Sequence, residues 1–197
     1  MHRTTMISAM AAMLLLSVPA AAGNSLISPG ESRRVAKSKL SVVPSSEWNK
    51  LDERPGRNAE TWTIDGDALN DVTFYGGIEP GKTLFAEVDK RNRPLPRMSA
   101  NMLITDIVTL FETSYRIALN TPLMRIDSVA PAQFASRKGV RFTYSFIKQD
   151  EEVNRRGEGR AAVIDGALYM ITYEAPTLHY FDKSLADFRQ LADSAAL

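Results

Sequence analysis

The run Arg160-Ala161-Ala162-Val163-Ile164-Asp165-Gly166-Ala167-Leu168-Tyr169-Met170-Ile171-Thr172-Tyr173-Glu174 decides the fold. Two apolar segments flank Asp165-Gly166, and a two-residue type I′ turn needs positive φ at both central positions, which Asp-Gly tolerates. The turn predicts a hairpin and fixes its register, with Ile164 opposite Ala167, Val163 opposite Leu168, Ala162 opposite Tyr169 and Ala161 opposite Met170. Side chains alternate across a strand, so Ala161, Val163, Leu168 and Met170 share one face while Ala162, Tyr169 and Ile171 share the other. Both faces are apolar, which predicts a hairpin covered on both sides.

Outward from this hairpin, residues 140–147 alternate, with Val140, Phe142, Tyr144 and Phe146 on one face. A polar turn over 149–154 joins the two regions. Residues 124–129 and 132–135 read as short strands. Residues 60–64 and 69–75 predict a second hairpin about Asp65-Gly66. Residues 40–43 form a short strand stopped by Pro44, with Trp48 in the loop beyond. A helix is predicted over 106–119, capped by Thr105 and stopped by Asn120 and Pro122, with Ile107, Leu110, Phe111, Ser114 and Ala118 on its apolar stripe. A second helix is predicted over 184–195, opened by the capping-box pattern Ser184-x-x-Asp187, with Leu185, Phe188, Leu191 and Ala195 facing inward. The fold class is therefore α+β, an antiparallel β-sheet packed between α-helices as an α/β/α sandwich. Ile64-Asp65-Gly66 and Ile164-Asp165-Gly166 share turn chemistry rather than a duplication.

The N-terminus predicts export. Arg3 precedes an apolar run over 6–18, shorter than the roughly 20 residues a bilayer span takes, and Pro19-Ala20-Ala21-Ala22-Gly23 offers small residues to a signal peptidase. The expected organisation is a secretory signal peptide over 1–22, a flexible leader over 23–39 and a single domain over 40–197, with a periplasmic or secreted product after cleavage near Ala22. The 197 residues include no Cys, so disulfides, thiolate metal sites and an N-terminal lipid anchor are excluded. Loss of Arg3 leaves basic and acidic residues in balance, which argues against a nucleic-acid partner. No further stretch approaches a transmembrane segment, and no cofactor or metal is expected.

Residues 76–102 carry Gly76, Gly77, Pro80, Gly81, Pro94 and Pro96 and no firm element, and a loop of that length in a compact domain is functional or disordered. Within it, Asp89-Lys90-Arg91-Asn92-Arg93-Pro94-Leu95-Pro96-Arg97 concentrates positive charge on a backbone stiffened by proline. Lys90, Arg91, Arg93 and Arg97 are the expected partner-binding residues, suited to an envelope protein, an anionic glycan or a lipid headgroup. Trp48, Trp62 and Tyr173 are the expected ligand-binding residues of a small-molecule or lipid pocket between sheet and helix. No catalytic residue is assigned. His179 lies among aromatics with no Gly-x-Ser-x-Gly elbow in the chain. Three carboxylate sets, Asp65/Asp67, Asp150/Glu151/Glu152 and Glu158/Glu174, leave a carboxylate-dependent hydrolase as a further alternative. Gly76-Gly77 and Gly157-x-Gly159 match no phosphate-binding fingerprint.

The order of elements carries a resemblance. A strand ending Val43-Pro44, a nearby Trp48 and Trp62 ahead of a hairpin resemble the opening of the Mog1/PsbP-like superfamily. Its end is similar too, where Tyr169-Met170-Ile171-Thr172-Tyr173 leads through a loop to the last helix. Trp62-Thr63-Ile64-Asp65-Gly66, Gly77-Ile78-Glu79-Pro80-Gly81 and Tyr173-Glu174-Ala175-Pro176 look like a bacterial envelope protein family with such a domain of DcrB type. The resemblance covers residues 40–195 and implies an antiparallel sheet between helical layers in a non-catalytic accessory protein. The chain departs from the DcrB-type lipoproteins in lacking the lipidated Cys, so membrane tethering does not follow. The expected function is that of a non-catalytic extracytoplasmic accessory or binding protein.

Overall fold

The computed structural model describes residues 24–149 and 151–197, so the signal peptide expected over 1–22 lies outside the described residues. In chain order the elements are β1 (Ser25–Ile27), β2 (Arg33–Arg34), β3 (Ser41–Val42), β4 (Trp48–Lys50), β5 (Ala59–Thr63), β6 (Asp71–Ile78), α1 (Ile104–Ala118), β7 (Arg125–Phe134), β8 (Arg137–Ile147), β9 (Asn154–Ile164), β10 (Ala167–Pro176) and α2 (Tyr180–Asp193). Eight strands form one sheet in the order β1-β4-β5-β6-β10-β9-β8-β7, and β2 pairs with β3. All pairings are antiparallel.

The β9–β10 hairpin adopts the register that its turn dictates, with Ile164 opposite Ala167 and Ala161 opposite Met170. Asp165 and Gly166 take φ of 50° and 77°. The two faces then separate two buried layers. Ala161, Leu168 and Met170 lie with Phe142, Tyr144 and the inward face of α1, whereas Ala162, Tyr169 and Ile171 lie with Phe188 and Leu191 of α2. The antiparallel sheet is thus covered by a helix on each side, as the two-sided apolar pattern requires. Each fully buried aromatic or aliphatic side chain in these layers contributes about 1.5–3 kcal/mol of transfer free energy.

Several elements depart from the sequence reading. Trp48 opens β4 rather than sitting in a loop. The two short segments near 124–135 are one strand, β7, continuous through Pro131 with a register shift between Ile126 and Ser128. Proline falls on the outermost strand, the place in a sheet where a missing N–H is best tolerated because one side of the strand carries no ladder. Helix α1 begins at Ile104, and the Asp106 carboxylate accepts the Leu103 N–H at 2.8 Å, so Thr105 is not the cap. Helix α2 begins at Tyr180, a turn before the expected Ser184, because Phe181 and Ser184 are both buried and belong to its packed face.

The stretch 23–39 also differs from a flexible leader where it is described, from Asn24 onward. β1 lengthens the sheet beyond β4, and Val35 and Ala36 are wholly buried in the α2-side layer. Two close approaches explain this. The Glu60 carboxylate accepts the Ala36 N–H at 3.3 Å. Gly76 leaves room for the chain above it, since a Cβ there would stand 2.2 Å from Ser38 Oγ and 3.1 Å from Ala36 Cβ. The segment is polar in sequence because little more than Val35 and Ala36 of it turns inward.

Candidate functional site

Antiparallel pairing places Asp71 of β6 opposite Glu174 of β10, and Glu174 opposite Gly157 of β9. Gly157 in turn faces Tyr144 of β8, so four strands contribute one lateral row on the α1 side. The missing side chain of Gly157 matters here. A Cβ on it would lie 2.0 Å from Tyr144 Cζ, so the phenol ring lies across the glycine and reaches Glu174. Tyr144 and Tyr115 of α1 both donate to Glu174 Oε2, at 3.2 and 2.8 Å. Among the described residues nothing donates to Oε1. A second row on the same face brings Thr61, Thr73 and Thr172 together, with the Thr61 and Thr73 hydroxyls 3.0 Å apart.

Asp71, Glu174 and the threonine row form the floor of a cleft of about 460 Å³. Tyr75, Phe85, Tyr115, Leu51, Pro55 and Leu119 supply its apolar walls. Among the described residues lining it, Glu53, Asp67, Asp71, Glu151 and Glu174 stand against the one ammonium of Lys148. Glu151 is tied to Arg155 at 3.3 Å. Burial, and then the charge of Glu174, push the Asp71 carboxyl well above the ordinary carboxylate range. Burial pushes Glu174 up as well, against the hydrogen bond from Tyr115 and the positive charges of Lys148 and Arg155. Burial and then the Glu174 charge raise the Tyr75, Tyr115 and Tyr144 phenols, which therefore remain donors.

The acid pairs expected from sequence fare differently. Glu158 is one residue out of phase with Gly157, so it lies on the opposite face of the sheet from Glu174, held by Arg189 at 2.7 Å. Asp65 is occupied by Lys183 at 2.6 Å and by the Asn70 amide at 2.7 Å. Asp67 reaches the cleft rim, and Asp150 lies outside the described residues. The two acids that share one strand pairing and one cleft are Asp71 and Glu174, a pairing that needs the β6–β10 register and so escaped a reading by local strings. No group of three or more His, Asp or Glu side chains among the described residues is placed to hold a metal ion. His179 is exposed at a left-handed position before α2, against the Tyr180 ring.

Trp48, Trp62 and Tyr173 are core residues, which corrects their assignment to a ligand shelf. Each is buried in the α2-side layer. Trp62 packs edge-on against Phe74 and donates its indole N–H to Glu60 at 2.9 Å. Tyr173 stacks on Phe188 and donates to the carbonyls of Tyr180 and Phe181 at 3.0 and 3.1 Å. Protein rings pack against Trp62 and Tyr173 where a ligand would have to lie.

The basic loop is ordered from beneath. Leu95 and Met98 are buried with Leu84 and Phe85 in the α1-side layer. Glu87 accepts the Leu95 N–H at 3.0 Å, and Asp89 accepts the Asn92 N–H at 3.1 Å. The Asn92 hydrogen bonds hold the Asp89 carboxyl below its usual range. Lys90, Arg91 and Arg93 are exposed. Arg97 is committed to the Gly81 carbonyl at 2.7 Å and to Glu87 at 3.3 Å, so it braces the loop. Lys90 and Arg97 also line a groove of about 550 Å³ with Arg57, Lys82 and Phe85. Phe85 is the wall this groove shares with the carboxyl cleft.

No model of a known protein family matches the sequence, and no curated protein matches it. Among solved structures the chain is similar to the cyanobacterial PsbP (CyanoP) of Synechocystis sp. PCC 6803. The TM-score is 0.56 at 13% identity, covering 93% of this chain and 98% of that one. This likeness shows a PsbP-like α+β fold, in agreement with the resemblance read from the order of elements. LpqN of Mycobacterium tuberculosis, described as involved in cell envelope biogenesis, aligns over 88% of this chain and 89% of its own at 9% identity. Its TM-score of 0.34 carries no argument. No helix among the described residues is long and apolar enough to cross a membrane.

Proposed function

We propose that the chain is a non-catalytic extracytoplasmic accessory protein, exported by residues 1–22 and binding an anionic partner through the 89–97 loop. One observation carries this reading: Leu95, Met98 and Glu87 pin the loop to the domain while Lys90, Arg91 and Arg93 stand exposed on it. A loop ordered before binding loses little conformational entropy when a partner docks, and three cations on one short segment steer an anionic surface toward it. An acidic envelope protein or an anionic glycan or lipid headgroup fits that chemistry. Arg97, though exposed, serves the loop's geometry.

The test is crosslinking capture from the native envelope with the wild-type chain beside a Lys90→Ala/Arg91→Ala/Arg93→Ala variant. The variant is expected to lose at least about tenfold in affinity at low salt, to show a shallower salt dependence and to keep the wild-type unfolding midpoint. Equal capture by both proteins at low salt overturns the assignment of the loop. Intact-mass analysis of the exported chain checks the location independently, with an N-terminus at Gly23, give or take two residues, as the expected result.

A further inference from the structure

We propose that the carboxyl cleft between β6, β10 and the end of α1 binds a small organic ammonium ligand, with Asp71 and Glu174 as its anionic floor. Three independent features point there. The cavity, about 460 Å³, is of the size small-molecule sites take. Its described lining is acidic, with five carboxyls, one of them paired with Arg155, against the Lys148 ammonium. Glu174 is only 6% exposed, yet its Oε1 takes no hydrogen bond among the described residues while Oε2 takes two. That free oxygen is not sealed in the protein but opens onto the cleft, where an arriving N–H donor can hydrogen-bond it.

The walls narrow the chemistry. Tyr75, Phe85 and Tyr115 present aromatic surface beside the carboxyls, and rings of this kind favour a cation carried on hydrocarbon. Leu51, Pro55 and Leu119 suit the alkyl part, and the threonine row offers partners to a hydroxyl. Lys148 lies on the far side of the balance: it disfavours a cation and therefore limits affinity. A bare divalent metal does not fit, since among the described residues no set of three ligating side chains converges. Burial raises both carboxyls, and an ammonium seated on the floor would oppose that shift.

The experiment titrates the full chain with 5-aminopentan-1-ol and, separately, with pentane-1,5-diol, which has the same length without the ammonium. Amide chemical shifts report where each binds. The amino alcohol is expected to shift Asp71, Thr172 and Glu174 saturably, with the diol at least tenfold weaker. Asp71→Asn should weaken the amino alcohol about tenfold or more, whereas Lys148→Met should tighten it severalfold. The second variant matters because a merely disturbed site does not bind more tightly. Equal binding of amine and diol, shifts confined to other surfaces, or no change in either variant overturns the proposal. None of these results bears on the loop, which lies across Phe85 in a different groove.

Discussion

Gly157 shows how one absent side chain organises a site. Tyr144 occupies the space a Cβ would take, and only from there does its hydroxyl reach Glu174. Gly157→Ala is therefore expected to displace the ring and to destabilise the domain by about 1–3 kcal/mol, the usual cost of overpacking, measured by urea unfolding. Asp71 makes a prediction of opposite sign. Its folded carboxyl is raised, so between the ordinary carboxylate range and that raised value the folded chain holds more protons than the unfolded one. Stability contributed by this group is present at low pH and is lost as pH rises across that window. Asp71→Asn should leave stability near wild type at pH 4, exceed it at pH 8 and flatten the fall between; a wild-type midpoint that does not decline relative to the variant rejects the account. In the sequence, Gly157-x-Gly159 is visible as a spacing that fits no phosphate loop. Its purpose is not, because the facing Tyr144 and Phe142 are set by a register that the polar turn over 149–154 leaves open.

At the scale of elements, what could be read depended on whether the turn itself fixes the pairing. Asp165-Gly166 does, and the β9–β10 register follows from it residue by residue. The strands β5, β6 and β8 were legible from periodicity bounded by turn residues, but their registers were not, since Trp62 pairs with Val72 across a loop longer than Asp65-Gly66. Helix α2 starts a turn ahead of Ser184-x-x-Asp187, which imitates a cap, because tertiary packing draws in an additional turn through Phe181 and through Tyr173, whose hydroxyl donates to that turn's carbonyls. If α2 is held by this layer rather than by capping, its anchor is Phe188, fully buried and stacked 5.3 Å from Tyr173. Phe188→Ala is expected to cost about 3–5 kcal/mol in urea unfolding. Leu178→Ala, at a side chain 87% exposed just before the helix, should stay within about 0.5 kcal/mol of wild type. Similar costs for the two would place the stability of α2 in its own turn rather than in the layer.

For the whole molecule, the sheet-and-two-helix plan was legible because both faces of the β9–β10 hairpin are apolar, but the contribution of the N-terminal segment was not. Residues 24–39 look polar and aperiodic, and their ordering depends on contacts far along the chain. Ala36 donates to Glu60, whose carboxylate also serves Trp62 and Lys50 at 2.9 and 3.2 Å, and Ser41 pairs with Ala196 across the ends of the domain. Removing residues 24–39 would strip one donor from a carboxylate that is only 3% exposed and uncover the layer around Val35. The coupling can be isolated with Gly76. In the complete chain Gly76→Ala drives a Cβ against Ser38 and Ala36, so the midpoint should fall by about 1–3 kcal/mol. In the chain lacking residues 24–39 those neighbours are gone, and the same substitution should cost nearly nothing. The difference between the two costs is the interaction energy between the segment and β6, expected to exceed about 0.5 kcal/mol. Additive costs, or a truncation without effect on stability, would mean that the segment does not hold its place over Gly76 and that the domain's second layer closes without it.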